Sequence, residues 1–227
     1  ERVSADWDAL PAAQDKSHVV DILTYQAVLE NSTSGVVTGN EKVDFSQWHA
    51  KYTKAQKKHA KHKKRDYTVL DSNTMYQEFR VCSGYTKEEY LALGKRQSLL
   101  PAAEREALYK AYEAYLKLFD ENEVQAEFYA FPDSAEEIAV YDLIVVDEAQ
   151  DFSFAALNNL YALSRNGRVV FCMDSHQSLH DELSTRPYLL QQFNASHTTL
   201  ETTYRCPTNV VLAANKIITL KNALTGG

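Results

Sequence analysis

The chain has 227 residues with 44% hydrophobic and 24% charged side chains, and a formal net charge of -7. That length buries a sizeable core, and that composition excludes a disordered, collagen-like or wholly coiled-coil protein. No apolar run approaches the roughly 18 residues of a membrane span, and Glu1-Arg2-Val3-Ser4 lacks the apolar core of a signal peptide.

Cys82, Cys172 and Cys206 are too few and too widely spaced for a disulfide framework, so a reducing, cytoplasmic setting is expected, with no membrane partner. Glu1 is not a start methionine, and the chain reads as a piece of a longer polypeptide.

In chain order, Val19-Val20-Asp21-Ile22-Leu23-Thr24 reads as a short buried strand, followed by an apolar helical turn from Tyr25 to Leu29. The Ser, Thr, Asn and Gly content of residues 31–40 predicts a surface connection. Ser46 stands as a cap for a helix over residues 47–65, with Trp48 and Tyr52 on one face.

Residues 51–65 hold eight Lys and Arg and no acid, inside a chain that is otherwise acidic. Lys51, Lys54, Lys58, Lys61 and Arg65 are spaced by three and four, and on a helix they form one stripe about 21 Å long. The pattern suits a local anion-binding element or a solvated tail. Five like charges on one face also weaken an isolated helix, so the stripe needs anions, or packing through Trp48 and Tyr52, to hold it.

Thr86 and Glu89 form a capping box for a helix ending near Leu93. Pro101 opens another, with Leu108, Tyr112, Tyr115, Leu116 and Phe119 at helical spacing. Beyond Ala139 two apolar runs, Leu143-Ile144-Val145-Val146 and Val169-Val170-Phe171-Cys172-Met173, end in Asp147-Glu148 and Asp174. They predict buried parallel strands joined by a helix over Phe154 to Ser164, capped by Ser153. Leu200 to Tyr204 reads as one more strand, and Pro207 to Leu224 as a closing helix. The plan is an α/β sheet domain with a mainly helical insertion between about residues 31 and 125.

In an open parallel sheet ligands bind beyond the carboxyl ends of the strands, where both runs place acids. Adjacent carboxylates at a strand end point in different directions, so one of Asp147 and Glu148 can face a Mg²⁺ ion while its neighbour faces an attacking water. An acidic loop after a strand is the structural alternative.

The segment Tyr141-Asp142-Leu143-Ile144-Val145-Val146-Asp147-Glu148-Ala149-Gln150-Asp151-Phe152 closely resembles the Walker B motif of the UvrD/Rep/PcrA-like superfamily-one helicases. Met173-Asp174-Ser175-His176-Gln177-Ser178-Leu179 resembles the family's G-D-x-x-Q-S-I motif. Leu200-Glu201-Thr202-Thr203-Tyr204-Arg205-Cys206-Pro207, with Ala213-Ala214-Asn215, resembles its L-x-x-N-Y-R-S motif and the A-N that follows. Thr24-Tyr25-Gln26-Ala27 lies where the family has a T-F-H-G element that touches single-stranded DNA.

The resemblance implies an ATP-dependent DNA helicase or translocase with a RecA-like fold, using ATP and Mg²⁺ and moving on single-stranded DNA or RNA. Residues 1–30 and 126–200 would belong to the first motor domain, 31–125 to a 1B-like helical insertion and 201–227 to the start of the second domain. Asp147 would coordinate Mg²⁺, Glu148 would activate water, Gln150 would link the site to the neighbouring domain and Gln177 would bind the γ-phosphate. Arg205 would be an arginine finger, and Tyr204 would stack on adenine.

Some features depart from the family. Met173 replaces a glycine and Thr203 an asparagine, and His180-Asp181-Glu182-Leu183 is acidic where the family carries base-stacking aromatics. The 227 residues contain no G-x-x-x-x-G-K-[ST] phosphate loop; Gly35, Gly39 and Gly94-Lys95 do not make one. The rest of the same polypeptide, carrying a phosphate loop and a second motor domain, is therefore an expected partner, and this segment alone is expected to be inactive. The alternative is a helicase-like scaffold that keeps the motor fold without unwinding.

Other chemistries fit less well. Cys172, His176 and His180 are spaced by four, but the strand beneath them denies a common zinc-binding face. No G-x-S-x-G elbow supports a serine hydrolase. Asp142 precedes the strand and lies at the wrong end to join Asp147, Glu148 and Asp151 in a metal nuclease.

Overall fold

The structure, a computed structural model, describes residues 20–32, 45–63, 70–94, 97–118, 128, 140–174 and 185–225. It is a mixed α/β protein, mostly helical, with a two-stranded parallel sheet. The helices in chain order are α1 (Tyr25–Ser32), α2 (Phe45–Lys63), α3 (Ser72–Cys82), α4 (Lys87–Ala92) and α5 (Ala102–Leu116). Then come β1 (Ile144–Val146), α6 (Phe154–Ala162), β2 (Val169–Phe171), α7 (Thr185–Gln192) and α8 (Thr208–Thr225). Among the described residues no helix is long and apolar enough to cross a membrane.

Local signals account for most helix starts. Asp71 accepts from the Thr74 amide to cap α3, Thr86 and Glu89 close both halves of the capping box on α4, and Ser153 accepts from the Ala156 amide at the start of α6. Pro101 and Pro207 immediately precede α5 and α8, where a missing N–H is no loss. α2 begins at Phe45, before the expected cap Ser46, because Phe45 is drawn into the core.

The core joins α2, α3 and α5 through aromatic rings. Phe45 and Trp48 on α2 meet Phe79 on α3 and Tyr115 on α5, with ring centroids 4.9 to 5.7 Å apart. Phe128 adds edge contacts to Tyr76, Tyr112 and Tyr115. Each fully buried large apolar side chain contributes about 1.5–3 kcal/mol, more than the few tenths lost to each like-charge pair on α2. Packing therefore holds the basic helix without an anion.

A polar clasp fixes the connection between α4 and α5. Buried Glu78 on α3 accepts from the Tyr90 hydroxyl at 2.6 Å, the Ser98 hydroxyl at 2.9 Å and the Leu99 amide. Buried Arg105 on α5 donates to the carbonyls of Leu93, Gly94 and Leu100. Two opposite charges thus satisfy the backbone of one loop from both sides.

The strands pair in the register Ile144 with Val169, Val145 with Val170 and Val146 with Phe171, connected through α6. This is the expected strand-helix-strand unit, with one difference. The strands are not buried on both faces: Val145 is 62% exposed and its partner Val170 48%. Alternation turns Val146 inward and Val145 outward, so the sheet is covered on one face only.

Two further expectations are corrected. Residues 20–24 are exposed coil rather than a buried strand, and residues 200–204 are also exposed and unpaired. Both stretches have strand-like composition, but a strand exists only through a ladder partner, and neither has one among the described residues.

Candidate functional site

The acidic strand end is shaped by the continuation of the β1–β2 pairing. Cys172 donates its amide to the Val146 carbonyl at 2.8 Å, and Ala149 donates to the Cys172 carbonyl at 2.9 Å. Between these two bonds the chain must reverse, and it does so at Glu148, whose φ of 50° and ψ of 44° are left-handed. For a residue other than Gly or Asn this costs about 1–2 kcal/mol, so neighbouring contacts must impose it. The reversal starts a 3₁₀ turn over Ala149–Asp151, closed by the Asp151 amide on the Glu148 carbonyl at 2.9 Å.

The reversal leaves Asp147 and Glu148 exposed and places Gln150 in the interior, where it is 6% exposed. Gln150 Nε2 donates to Glu148 Oε2 at 2.6 Å, and its Oε1 accepts from the Asp174 amide at 3.3 Å. One buried amide thus joins the carboxyl ends of both strands and fixes the Glu148 carboxylate. Gln150 acts within the sheet here, between Glu148 and Asp174. Asp147 Oδ1 accepts from the Glu148 amide at 3.0 Å.

A residue that the sequence did not single out reaches the same turn. Arg80 on α3 is 9% exposed; Nη2 donates to the Asp151 carbonyl at 2.5 Å and Nη1 to Gln77 Oε1 at 3.1 Å. Ser83, one turn on, accepts from the Ala155 amide at 3.2 Å and donates to the Arg80 carbonyl at 2.7 Å. The signal was absent because Arg80 follows Glu78 and Phe79 in a helix whose buried face mixes charged and apolar residues.

No group of three or more His, Cys, Asp or Glu among the described residues is arranged to hold a metal ion. Two exposed neighbouring carboxylates fit a Mg²⁺ ion that keeps waters and arrives with phosphate oxygens, rather than a resident metal cage. Cys172 is exposed at the end of β2, and the other residues of the zinc pattern, His176 and His180, lie outside the described residues.

The other predicted residues are placed as follows. Arg205 and Tyr204 are exposed on the extended stretch before α8, Tyr204 at 96%, and no contact among the described residues brings them to Asp147 or Glu148. The Arg205 amide donates to Thr203 Oγ1 at 3.3 Å. Gln177 lies outside the described residues. Thr24 caps α1, accepting from the Ala27 amide at 3.2 Å. The Tyr25 ring meets Phe152 edge-on at 5.8 Å, and its hydroxyl accepts from Asn159 Nδ2 at 2.7 Å.

On α2, Lys51, Lys54 and Lys58 are exposed, Lys61 lies on the same helix, and Arg65 lies outside the described residues. Lys54, Lys57 and Lys58 line an open groove of about 630 Å³ with His49, Ala50 and Thr53. Lys57, outside the predicted stripe, thus adds a cation to it. His49 Nε2 donates to the Leu70 carbonyl at 2.9 Å, and Thr53 Oγ1 donates to the His49 carbonyl at 2.6 Å, so the polar floor of the groove is fixed. Partial burial raises the Tyr52 phenol pKa above its ordinary value, opposed by a hydrogen bond with Gln56. Trp48 and Tyr52 stack at 4.9 Å and 19°, holding the helix from its apolar side.

No protein-family model, curated protein or solved structure matches this chain at a significant level.

Proposed function

We propose that this chain supplies the water- and metal-handling half of a nucleotide site, and a nucleic-acid-binding helix, in a UvrD-like ATP-dependent translocase or helicase with a RecA-like motor domain. The observation that carries the reading is the Glu148 carboxylate, held by buried Gln150 at the carboxyl end of a parallel strand-helix-strand unit.

In this reading Asp147 would hold a Mg²⁺ ion, which would supply neutralisation of phosphate charge. Glu148 accepts a proton from the attacking water, and the Gln150 amide keeps that carboxylate pointed by donating to it. Gln177 senses the γ-phosphate. Arg205 and Tyr204, carried on an exposed stretch, reach the nucleotide through domain closure. A phosphate loop, absent from these 227 residues, is the further part this reading requires. The lysines of α2 neutralise phosphates of the single strand.

The test uses the full-length natural polypeptide that carries this chain. Mg-ATP turnover should rise with a single-stranded oligonucleotide, and Glu148→Gln should lower kcat by about 10²–10⁴-fold with ATP binding retained. Equal turnover in the variant overturns the assignment of Glu148. A scaffold that keeps the fold without unwinding is the second reading, favoured by the exposure of Arg205 and Tyr204. It predicts no oligonucleotide-stimulated turnover in the unaltered protein.

A further inference from the structure

We infer that Arg80, on a helix of the insertion, is a positioning residue for Glu148, acting through the backbone carbonyl of Asp151. The inference rests on the reading of Glu148 as the water-activating group.

The argument starts from the reversal at Glu148. A glutamate has no intrinsic preference for the left-handed region, so its geometry must be over-determined by surrounding bonds. On the β2 side the Ala149 amide is held by Cys172, and Gln150 is held by Asp174. On the opposite side the turn ends in the Asp151 carbonyl, the kind of helix-end acceptor that no intrahelical donor satisfies.

Arg80 Nη2 fills that acceptor at 2.5 Å. Gln77, one turn earlier on α3, accepts from Nη1 at 3.1 Å and fixes the plane of the guanidinium. Ser83 adds a second attachment by accepting from the Ala155 amide. Asp151 and Ala155 flank Ser153, whose hydroxyl caps α6. The stretch from Glu148 to Ala156 is therefore clamped between β2 and α3.

The geometry also explains why an arginine is needed. One planar fork spans Gln77 on its own helix and the Asp151 carbonyl across the interface, where an ammonium has no rigid second arm. The neighbouring Phe79 packs on Trp48 of the basic helix at 5.7 Å. α3 thus touches the nucleic-acid helix with one residue and the acidic turn with the next.

The experiment compares Arg80→Met and Arg80→Lys with the unaltered full-length polypeptide, by amide exchange and by Mg-ATP kinetics. Arg80→Met should accelerate exchange of peptides spanning 147–152 by about tenfold, with peptides of α5 unchanged. It should lower kcat by about tenfold at constant KM, because it disturbs the catalytic geometry and not ground-state binding. Arg80→Lys should recover part of both effects.

Unchanged exchange at 147–152 in Arg80→Met overturns the positioning role. Equal acceleration in α5 also overturns it, since that marks general destabilisation. An unaltered protein without ATP turnover refutes the nucleotide-site reading, while exchange still decides whether Arg80 fixes the turn.

Discussion

Asn159 on α6 donates a hydrogen bond of 2.7 Å to the Tyr25 hydroxyl of α1, across 134 positions of sequence. Asn159 is almost fully buried, and the Tyr25 ring stands edge-on to Phe152, the residue after the acidic turn. The bond fastens the first described helix to the strand-helix-strand unit. Tyr25→Phe keeps the ring contact and removes the acceptor, so it should lower unfolding stability by about 1–2 kcal/mol in urea denaturation. A loss below the error of that measurement refutes the role given to the hydroxyl.

Gly84, two residues past α3, lies close against α6 and α7. A Cβ added there falls 2.3 Å from Phe154 Cβ and 2.9 Å from the Tyr188 hydroxyl. Phe154 and Tyr188 are themselves stacked at 3.8 Å and 10°, and Tyr188 is anchored to Asn158 at 2.6 Å, so neither ring moves freely. Gly84→Ala should destabilise the fold by about 1–3 kcal/mol and change the near-ultraviolet circular dichroism of this aromatic group. Normal stability with an unaltered aromatic spectrum contradicts the packing described.

What the sequence revealed, and what it concealed, follows from the range of each interaction. Thr86 with Glu89, Ser153, and Pro207 announced helix starts because a cap and its partner lie within three residues. Asp147, Glu148 and Asp174 were legible because a run of apolar residues ending in acids is visible without knowing any neighbour. α3 was missed although its second half, from Gln77 to Cys82, is buried, because Gln77, Glu78 and Arg80 break the apolar period. Their partners lie at Tyr90, Ser98, Leu99 and Asp151, and only the folded chain brings these donors and acceptors together. The strands expected before Tyr25 and at Leu200 fail for the converse reason. Their composition suited a sheet, but composition supplies no ladder partner.

Glu78 tests the polar clasp directly. Its carboxylate is fully buried and accepts from Tyr90, Ser98 and the Leu99 amide. Glu78→Leu leaves those donors buried without that acceptor and should cost about 3–5 kcal/mol, whereas Glu78→Gln retains one carbonyl oxygen and should cost about 1–3 kcal/mol. Denaturant midpoints that place Leu at or above Gln show that the clasp does not stabilise the loop.

Asp71 gives a pH dependence with a defined sign. The Thr74 hydroxyl, at 2.6 Å, and then its amide, at 3.0 Å, lower the carboxyl pKa beneath its ordinary value in the folded chain. A lowered folded pKa stabilises the fold above the unfolded value near 3.8, and that stabilisation disappears as the pH falls through the folded value. The group is exposed and solvent screens it, so the capping range, not the shift, sets the size. Asp71→Ala should cost about 1 kcal/mol at pH 7. The difference from the unaltered chain should shrink below pH 4, and a difference that stays constant down to pH 2 contradicts the ionised cap.

The basic helix makes the sharpest prediction about a ligand. Trp48 and Phe45 anchor α2 in the aromatic core, so its lysines can be altered without unfolding it, and removing like charges relieves repulsion along the helix. Lys54 and Lys58 border the groove, and Lys61 follows one turn later on the same helix. If each neutralises a phosphate of a single strand, replacing all three with Gln should reduce the magnitude of the slope of log K against log salt by about 2. Affinity for a single-stranded oligonucleotide should fall most at low salt. Lys110 is a suitable control because it is exposed but paired with Glu106 at 2.8 Å, and Lys110→Gln should leave the slope unaltered. A triple variant with the slope of the unaltered protein removes α2 from the nucleic-acid path, whatever the acidic strand end does.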